Sequence, residues 1–148
     1  MDDVRIRPMA EADLAVARSL LAQLGYDLAS DEIRRRFFAV ASAAGHAVFV
    51  AEAAGQVVGM MHLSTRPAFD KPPEIVVQAI VVDAAHRGRG VGKMLMAAAE
   101  SWAAQRGYAS VSLHSQAARA DAHAFYDALG YELVATLHLF RRKLDMAR

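Results

Sequence analysis

The sequence predicts a single mixed α/β domain, and three observations carry that reading. Apolar residues alternate with polar ones in some stretches and recur every three to four residues in others, the two periods of half-buried strands and amphipathic helices. These stretches interleave in the order β-α-α-β-β-β-α-β-α-β-β, a mixed sheet of about seven strands flanked by helices. Near the middle, a β-branched run from Ile75 to Val82 passes through a glycine-rich basic turn into an amphipathic run from Val91 to Arg106. A strand joined through a helix to a further strand places those two strands in parallel. At 148 residues the chain supports one core, which at this size buries roughly 70% of the unfolded surface.

The elements follow in order. Val4 and Ile6 alternate with arginines up to Pro8, giving a short strand; Leu14, Ala17, Leu20, Leu21 and Leu24 then recur at helical spacing, and Gly25 stops the helix as a C-cap. Ser30-Asp31-Glu32 opens a second helix whose buried stripe is Ile33, Phe37, Val40 and Ala41, with Arg34, Arg35 and Arg36 on the solvated side. Ala47 to Glu52 and Gln56 to Ser64 read as a hairpin around Ala53-Ala54-Gly55, and the three prolines within Thr65 to Pro73 make that stretch a loop. After the central strand and helix, Gly107 is a second C-cap and Ala109 to His114 a strand parallel to the central one. Arg119 to Leu129 forms a last helix ending at Gly130, and short strands around Tyr131 to Val134 and Leu137 to Leu144 close the order.

Composition excludes several functions. The formal charge of +1 carries none of the basic excess of a nucleic-acid binder. With no cysteine there is no disulfide, no thiolate metal site and no cysteine nucleophile. The histidines lack metal-site spacing such as His-Glu-x-x-His, and no Gly-x-Ser-x-Gly elbow occurs. No apolar run approaches the ~18 residues of a membrane span, and Met1 to Arg5 is acidic where a signal peptide would be basic. A cytoplasmic protein with no nucleic-acid or membrane partner is expected.

The chemistry starts at the turn Arg87-Gly88-Arg89-Gly90-Val91-Gly92-Lys93. A helix start leaves about four N–H groups unpaired and carries partial positive charge, so a glycine-opened turn there suits a phosphate. A P-loop would need glycine at Arg87 and a hydroxyl residue at Met94; a dinucleotide fingerprint would need glycine at Lys93 and an acid after the next strand, where His114-Ser115 stands. Both fail. The pattern that is met is Arg-x-x-Gly-x-Gly, on Arg87, Gly90 and Gly92.

This turn resembles the acetyl-CoA pyrophosphate turn of the GNAT superfamily of N-acetyltransferases, and the element order is similar from Val4 to about Leu144. Ala122-His123-Ala124-Phe125-Tyr126-Asp127-Ala128-Leu129-Gly130-Tyr131 resembles that family's second signature, Ala-x-x-Phe-Tyr-x-x-x-Gly-Phe/Tyr. The resemblance implies a GNAT fold with a bulged central strand splayed from its parallel neighbour. Acetyl-CoA would then lie along Gln78, Ala79, Ile80, Val81 and Val82, with its pyrophosphate on Arg87, Gly88, Arg89, Gly90, Val91, Gly92 and Lys93.

The same resemblance implies acetyl transfer to a primary amine by direct attack in a ternary complex. Tyr126 is the expected general acid, because a leaving thiolate needs a proton and a phenol with a pKa near ~10 can supply it. Glu74, in Glu-Ile-Val-x-x-Ala-Ile, matches the general-base position of the histone acetyltransferase branch, with His114 as a rival. Regular alternation puts Glu74, Val76 and Gln78 on one face, expected to look into the acceptor cleft, and Ile75, Val77 and Ala79 on the other. One position departs from the family: where an asparagine commonly binds CoA, this chain has Arg119, which is suited to a CoA phosphate or an acidic acceptor group. The expected acceptor is a small-molecule amine. A protein or peptide amine, a non-catalytic acyl-CoA sensor, and a homodimer whose partner completes the cleft are left open.

Overall fold

The computed structural model describes residues 3–115 and 120–145. The chain divides into two compact units, Met1–His114 and Ser115–Arg148.

In the first unit a five-stranded sheet runs in the order β1 (Val4–Pro8), β2 (His46–Ala53), β3 (Gln56–Arg66), β4 (Glu74–Val82), β5 (Val111–Leu113). All neighbours are antiparallel except β4 and β5, which are parallel, as a helical connection requires. That connection is α3 (Val91–Gln105); α1 (Leu14–Gln23) and α2 (Ser30–Ser42) lie between β1 and β2 in sequence. The β2–β3 turn is the pair Ala54-Gly55, both at positive φ (51° and 77°), the backbone that a tight two-residue hairpin demands.

Two apolar layers position the site. On one face Val50, Met60 and Val81 pack with Ala17 and Leu20 of α1 and Ile33 of α2. On the other, α3 buries Leu95, Met96 and Ala99, each worth roughly 1.5–3 kcal/mol for the larger side chains. Gly59 lets α3 approach: a Cβ there would stand 3.1 Å from the Val81 carbonyl oxygen and 3.3 Å from Leu95 Cδ1. At the β1 edge, Arg7 grips Asp13 through two nitrogens (2.8 and 3.0 Å) and Glu52 through Nε (2.9 Å), tying β1, β2 and the entry to α1 together. The three arginines of α2 pair with acids, Arg35 and Arg36 with Asp31 and Glu32 on their own helix and Arg34 with Glu11, and form a solvated face.

The second unit contains α4 (Ala120–Ala128), closed at Gly130 (φ 89°), where Tyr131 N–H returns to the Tyr126 carbonyl at 3.0 Å. Here the expectation of about seven strands is corrected to five among the described residues, because residues 131–145 join no ladder. Their alternation supplies a potential sheet face, but a strand exists only through cross-strand hydrogen bonds, and Phe140 stays 91% exposed.

Candidate active site

The basic turn is built as an anion cradle. From Val82 the chain enters a short 3-10 turn at Ala84–His86, then two glycines at positive φ, Gly88 (78°) and Gly90 (84°), the latter the N-cap of α3. The first intrahelical bond is Met94 N–H to the Gly90 carbonyl (3.0 Å), so the N–H groups of Val91, Gly92 and Lys93 have no partner within the helix. Nothing lies within 4 Å of where a Cβ would stand on Gly88 or Gly90, and Arg87, Arg89 and Lys93 are exposed around that open space. These groups fit a pyrophosphate.

Asp83, an acid just before the turn, is engaged elsewhere. Gln23 of α1 donates to its Oδ1 (2.8 Å) and accepts from Ala84 N–H (2.8 Å), while His86 Nδ1 lies 2.8 Å from Oδ2. The Gln23 hydrogen bond, then that of His86, holds the Asp83 carboxyl below its ordinary value. Gln23 thereby bolts the turn to α1, a contact across 60 residues that no local pattern announces.

Along β4 the ladder with β3 slips once. His62 pairs with Ala79 and Leu63 with Val77, which leaves Gln78 as the extra residue of a bulge. The slip corrects the alternation expected from sequence: past Gln78, Ala79 moves to the Val76 side and Val81 enters the core under α1 and α2. On the other edge the parallel pairing stops at Val77 with Leu113, so among the described residues Gln78, Ala79, Ile80, Val81 and Val82 have no ladder partner there. A bulge and an open edge thus fall on the five residues expected to line the acyl-CoA arm.

Beside Gln78 opens a cavity of about 460 Å³ lined by His46, Ser64, Thr65, Arg66, Val76, Val77, Gln78 and His114. The register explains its composition. Rows across β2, β3 and β4 run from apolar (Val50, Met60, Val81) through Val48, His62 and Ala79, then His46, Ser64 and Val76, to Arg66 and Glu74. One sheet face therefore changes from core to polar floor.

Gln78 Nε2 donates to Ser64 Oγ (2.7 Å), and His46 Nδ1 lies 2.9 Å from His62 Nε2 with the rings stacked. Burial, and secondarily His46, holds His62 below its usual imidazole value, so it is neutral near pH 7. Arg66 pairs with Glu74 Oε1, and Ser110 Oγ donates to Glu74 Oε2 (3.2 Å). Glu74 is not among the residues lining the cavity, whereas His114 is. His46, His62, Ser64 and Arg66 were not singled out from the sequence, although His62, Ser64 and Arg66 at every second position of one strand were a readable signal.

In the second unit the Tyr126 ring meets Phe125 and Tyr131 edge-on, with centroids 5.1 and 6.0 Å away. Arg119 lies outside the described residues. Among the described residues no three His, Asp or Glu side chains converge to hold a metal, and no helix is long and apolar enough to cross a membrane.

A basic glycine turn at a helix N-terminus, followed backward along a bulged strand with one open edge to a polar cavity, fits the layout of an acyl-CoA-dependent transferase. Comparison with known proteins agrees. The model of the acetyltransferase (GNAT) family matches residues 14–131. The chain is 30% identical over 145 residues to the aminoglycoside N(6')-acetyltransferase type 1 of Stenotrophomonas maltophilia, covering 95% of this chain and 94% of that protein. It is also 30% identical over 154 residues to the glucosamine 6-phosphate N-acetyltransferase of Trypanosoma brucei brucei, covering 97% of each. Among solved structures, aminoglycoside N-acetyltransferase AAC(6')-Iy in complex with CoA superposes with a TM-score of 0.87 at 25% identity, covering 97% of both chains. The chain belongs to the GNAT family and is an acetyl-CoA-dependent acetyltransferase.

Proposed function

We propose that the chain, as one catalytic domain, transfers the acetyl group of acetyl-CoA to the primary amine of a small molecule, with amino sugars as the leading acceptor class. The observation that carries this is the polar cavity at Gln78, of a size for a small ligand, at the far end of an open strand edge from the anion turn. The names of both full-length relatives favour an amino-sugar nitrogen over a protein amine.

In this reading the pyrophosphate sits on Arg87, Gly88, Arg89, Gly90, Val91, Gly92 and Lys93, and the pantetheine arm pairs with the free backbone groups of Gln78 to Val82. A backbone N–H at the bulge polarises the thioester carbonyl. The amine nitrogen attacks the carbonyl carbon, the C–S bond breaks, and the thiolate takes a proton from Tyr126. The amine loses its proton to Glu74, which needs Oε1 released by Arg66 to accept it.

The test is a CoA-release assay over amines that include an aminoglycoside, glucosamine, glucosamine 6-phosphate and a lysine peptide, with calorimetric binding of acetyl-CoA alongside. Release with a sugar amine and not with the peptide is expected; binding of acetyl-CoA without release from any amine refutes the reading. Tyr126→Phe should lower kcat by roughly ten- to a hundredfold with acetyl-CoA affinity kept, and unchanged turnover removes Tyr126 from the mechanism.

A further inference from the structure

The polar cavity at Gln78 has a one-sided chemistry. Its lining offers a guanidinium, two imidazoles, two hydroxyls and a carboxamide, from Arg66, His46, His114, Ser64, Thr65 and Gln78, and no carboxylate. The nearest acid in the register, Glu74, has one oxygen on Arg66 and the other on Ser110, and Asp70 on the preceding loop is exposed and outside the lining. Among the described lining residues a polycationic acceptor meets positive and donor groups and no carboxylate to pair with its ammonium groups.

One of those donors lacks an acceptor among the described residues, and two more have a hydrogen to give. Arg66 gives Nη2 to Glu74, but its Nε–H is buried with no hydrogen-bond partner among the described residues, and a buried orphan donor of a charged group is costly until the side chain shifts to meet an acceptor. Ser64 Oγ already accepts from Gln78, which leaves its own hydrogen to donate. If His62 Nε2 donates to His46 Nδ1, His46 carries its proton on Nε2, a further donor.

We infer that this cavity holds an oxyanion subsite, and that the preferred acceptor is an amine bearing a phosphate or carboxylate a few atoms from its nitrogen. Arg66 is the principal contact, with Ser64 and His46 beside it. The inference rests on the acetyl-transfer reading above and adds a choice that reading does not make. It separates an anionic amino sugar from an aminoglycoside, whose several amines are protonated near neutral pH. It also connects recognition to chemistry, because a guanidinium drawn toward the acceptor oxyanion loosens its hold on Glu74 Oε1.

The experiment compares kcat/KM for matched amines near neutral pH and low salt, glucosamine 6-phosphate against glucosamine for phosphate and β-alanine against propylamine for carboxylate. A charge-assisted contact in a partly enclosed site predicts an advantage of about ten- to a hundredfold for the anionic member of at least one pair. The Arg66→Met variant should bring that ratio to about one, and Arg66→Lys should leave it in between. No advantage in either pair, or an aminoglycoside preferred over glucosamine 6-phosphate, overturns the subsite while leaving acetyl transfer intact. If no amine releases CoA, the acetyl-transfer reading falls, and calorimetry on the wild-type chain decides the subsite alone. Tighter binding of glucosamine 6-phosphate than of glucosamine then supports the subsite, and equal or absent binding overturns it. The calorimetric arm needs no variant to fold.

Discussion

Gly90→Ala, read beside Gly107→Ala, separates what the turn costs the fold from what it does for the ligand. Both glycines sit in left-handed backbone, φ 84° and 79°, and at both the space a Cβ would take is empty to 4 Å. An alanine therefore pays only conformational strain at each, about 1–2 kcal/mol, less the roughly 0.4–1 kcal/mol regained because alanine restricts the unfolded chain. The net, about 1 kcal/mol, should lower Tm by roughly 2–4 °C in both variants.

The two differ in surroundings. Gly107 follows the C-terminus of α3, whereas Gly90 caps its N-terminus beside the N–H groups of Val91, Gly92 and Lys93, which have no partner within the helix. Displacing a pyrophosphate from even one charge-assisted contact costs about 1.5–3 kcal/mol, or roughly ten- to a hundredfold in Kd. Calorimetric titration of CoA into the two variants is the assay. Matched Tm losses with weakened CoA binding only in Gly90→Ala are expected. Equal CoA affinity in the two would refute the placement of the pyrophosphate on this turn.

Two further outcomes are expected. Glu74→Gln should remove the acid limb of the pH–rate profile with the amine acceptor; a limb that stays in place shows that another group, such as His114 in the cavity lining, is the base. Asp13→Asn should cost about 1–3 kcal/mol in a denaturant melt, since Asp13 is 8% exposed and accepts from Arg7 and Ala10 N–H. The Arg7 hydrogen bonds hold the folded Asp13 carboxyl below 3.8, so its contribution is complete above that value and is lost as pH falls through the lower folded value. Wild-type stability should therefore fall more steeply below about pH 4 than that of the variant, and parallel curves would refute the assignment.

What the sequence determined by itself is what neighbours along the chain decide. Helical and strand periods depend on residues within one or two turns, and the glycines at positions 25, 90, 107 and 130 stand where left-handed backbone ends or begins a helix. The spacing of Arg87, Gly90 and Gly92, with the signature around Tyr126, was enough to indicate the family and its cosubstrate. What only the tertiary structure decided lies across strands. The slip at Gln78, which reversed the side on which Ala79 and Val81 fall, is a property of two paired strands and leaves no mark in either one's alternation. The strands expected in residues 131–145 required a partner edge, and their own pattern could not supply one. The grouping of the cavity floor was hidden for the same reason: Ser64, Arg66 and Gln78 could each be read as polar positions of a strand, but with His46 they are scattered over 33 positions, and only the hairpin register and the bulge set them around one space. Chemistry that depends on which side chains share a sheet face is fixed by pairing, and pairing is a long-range contact.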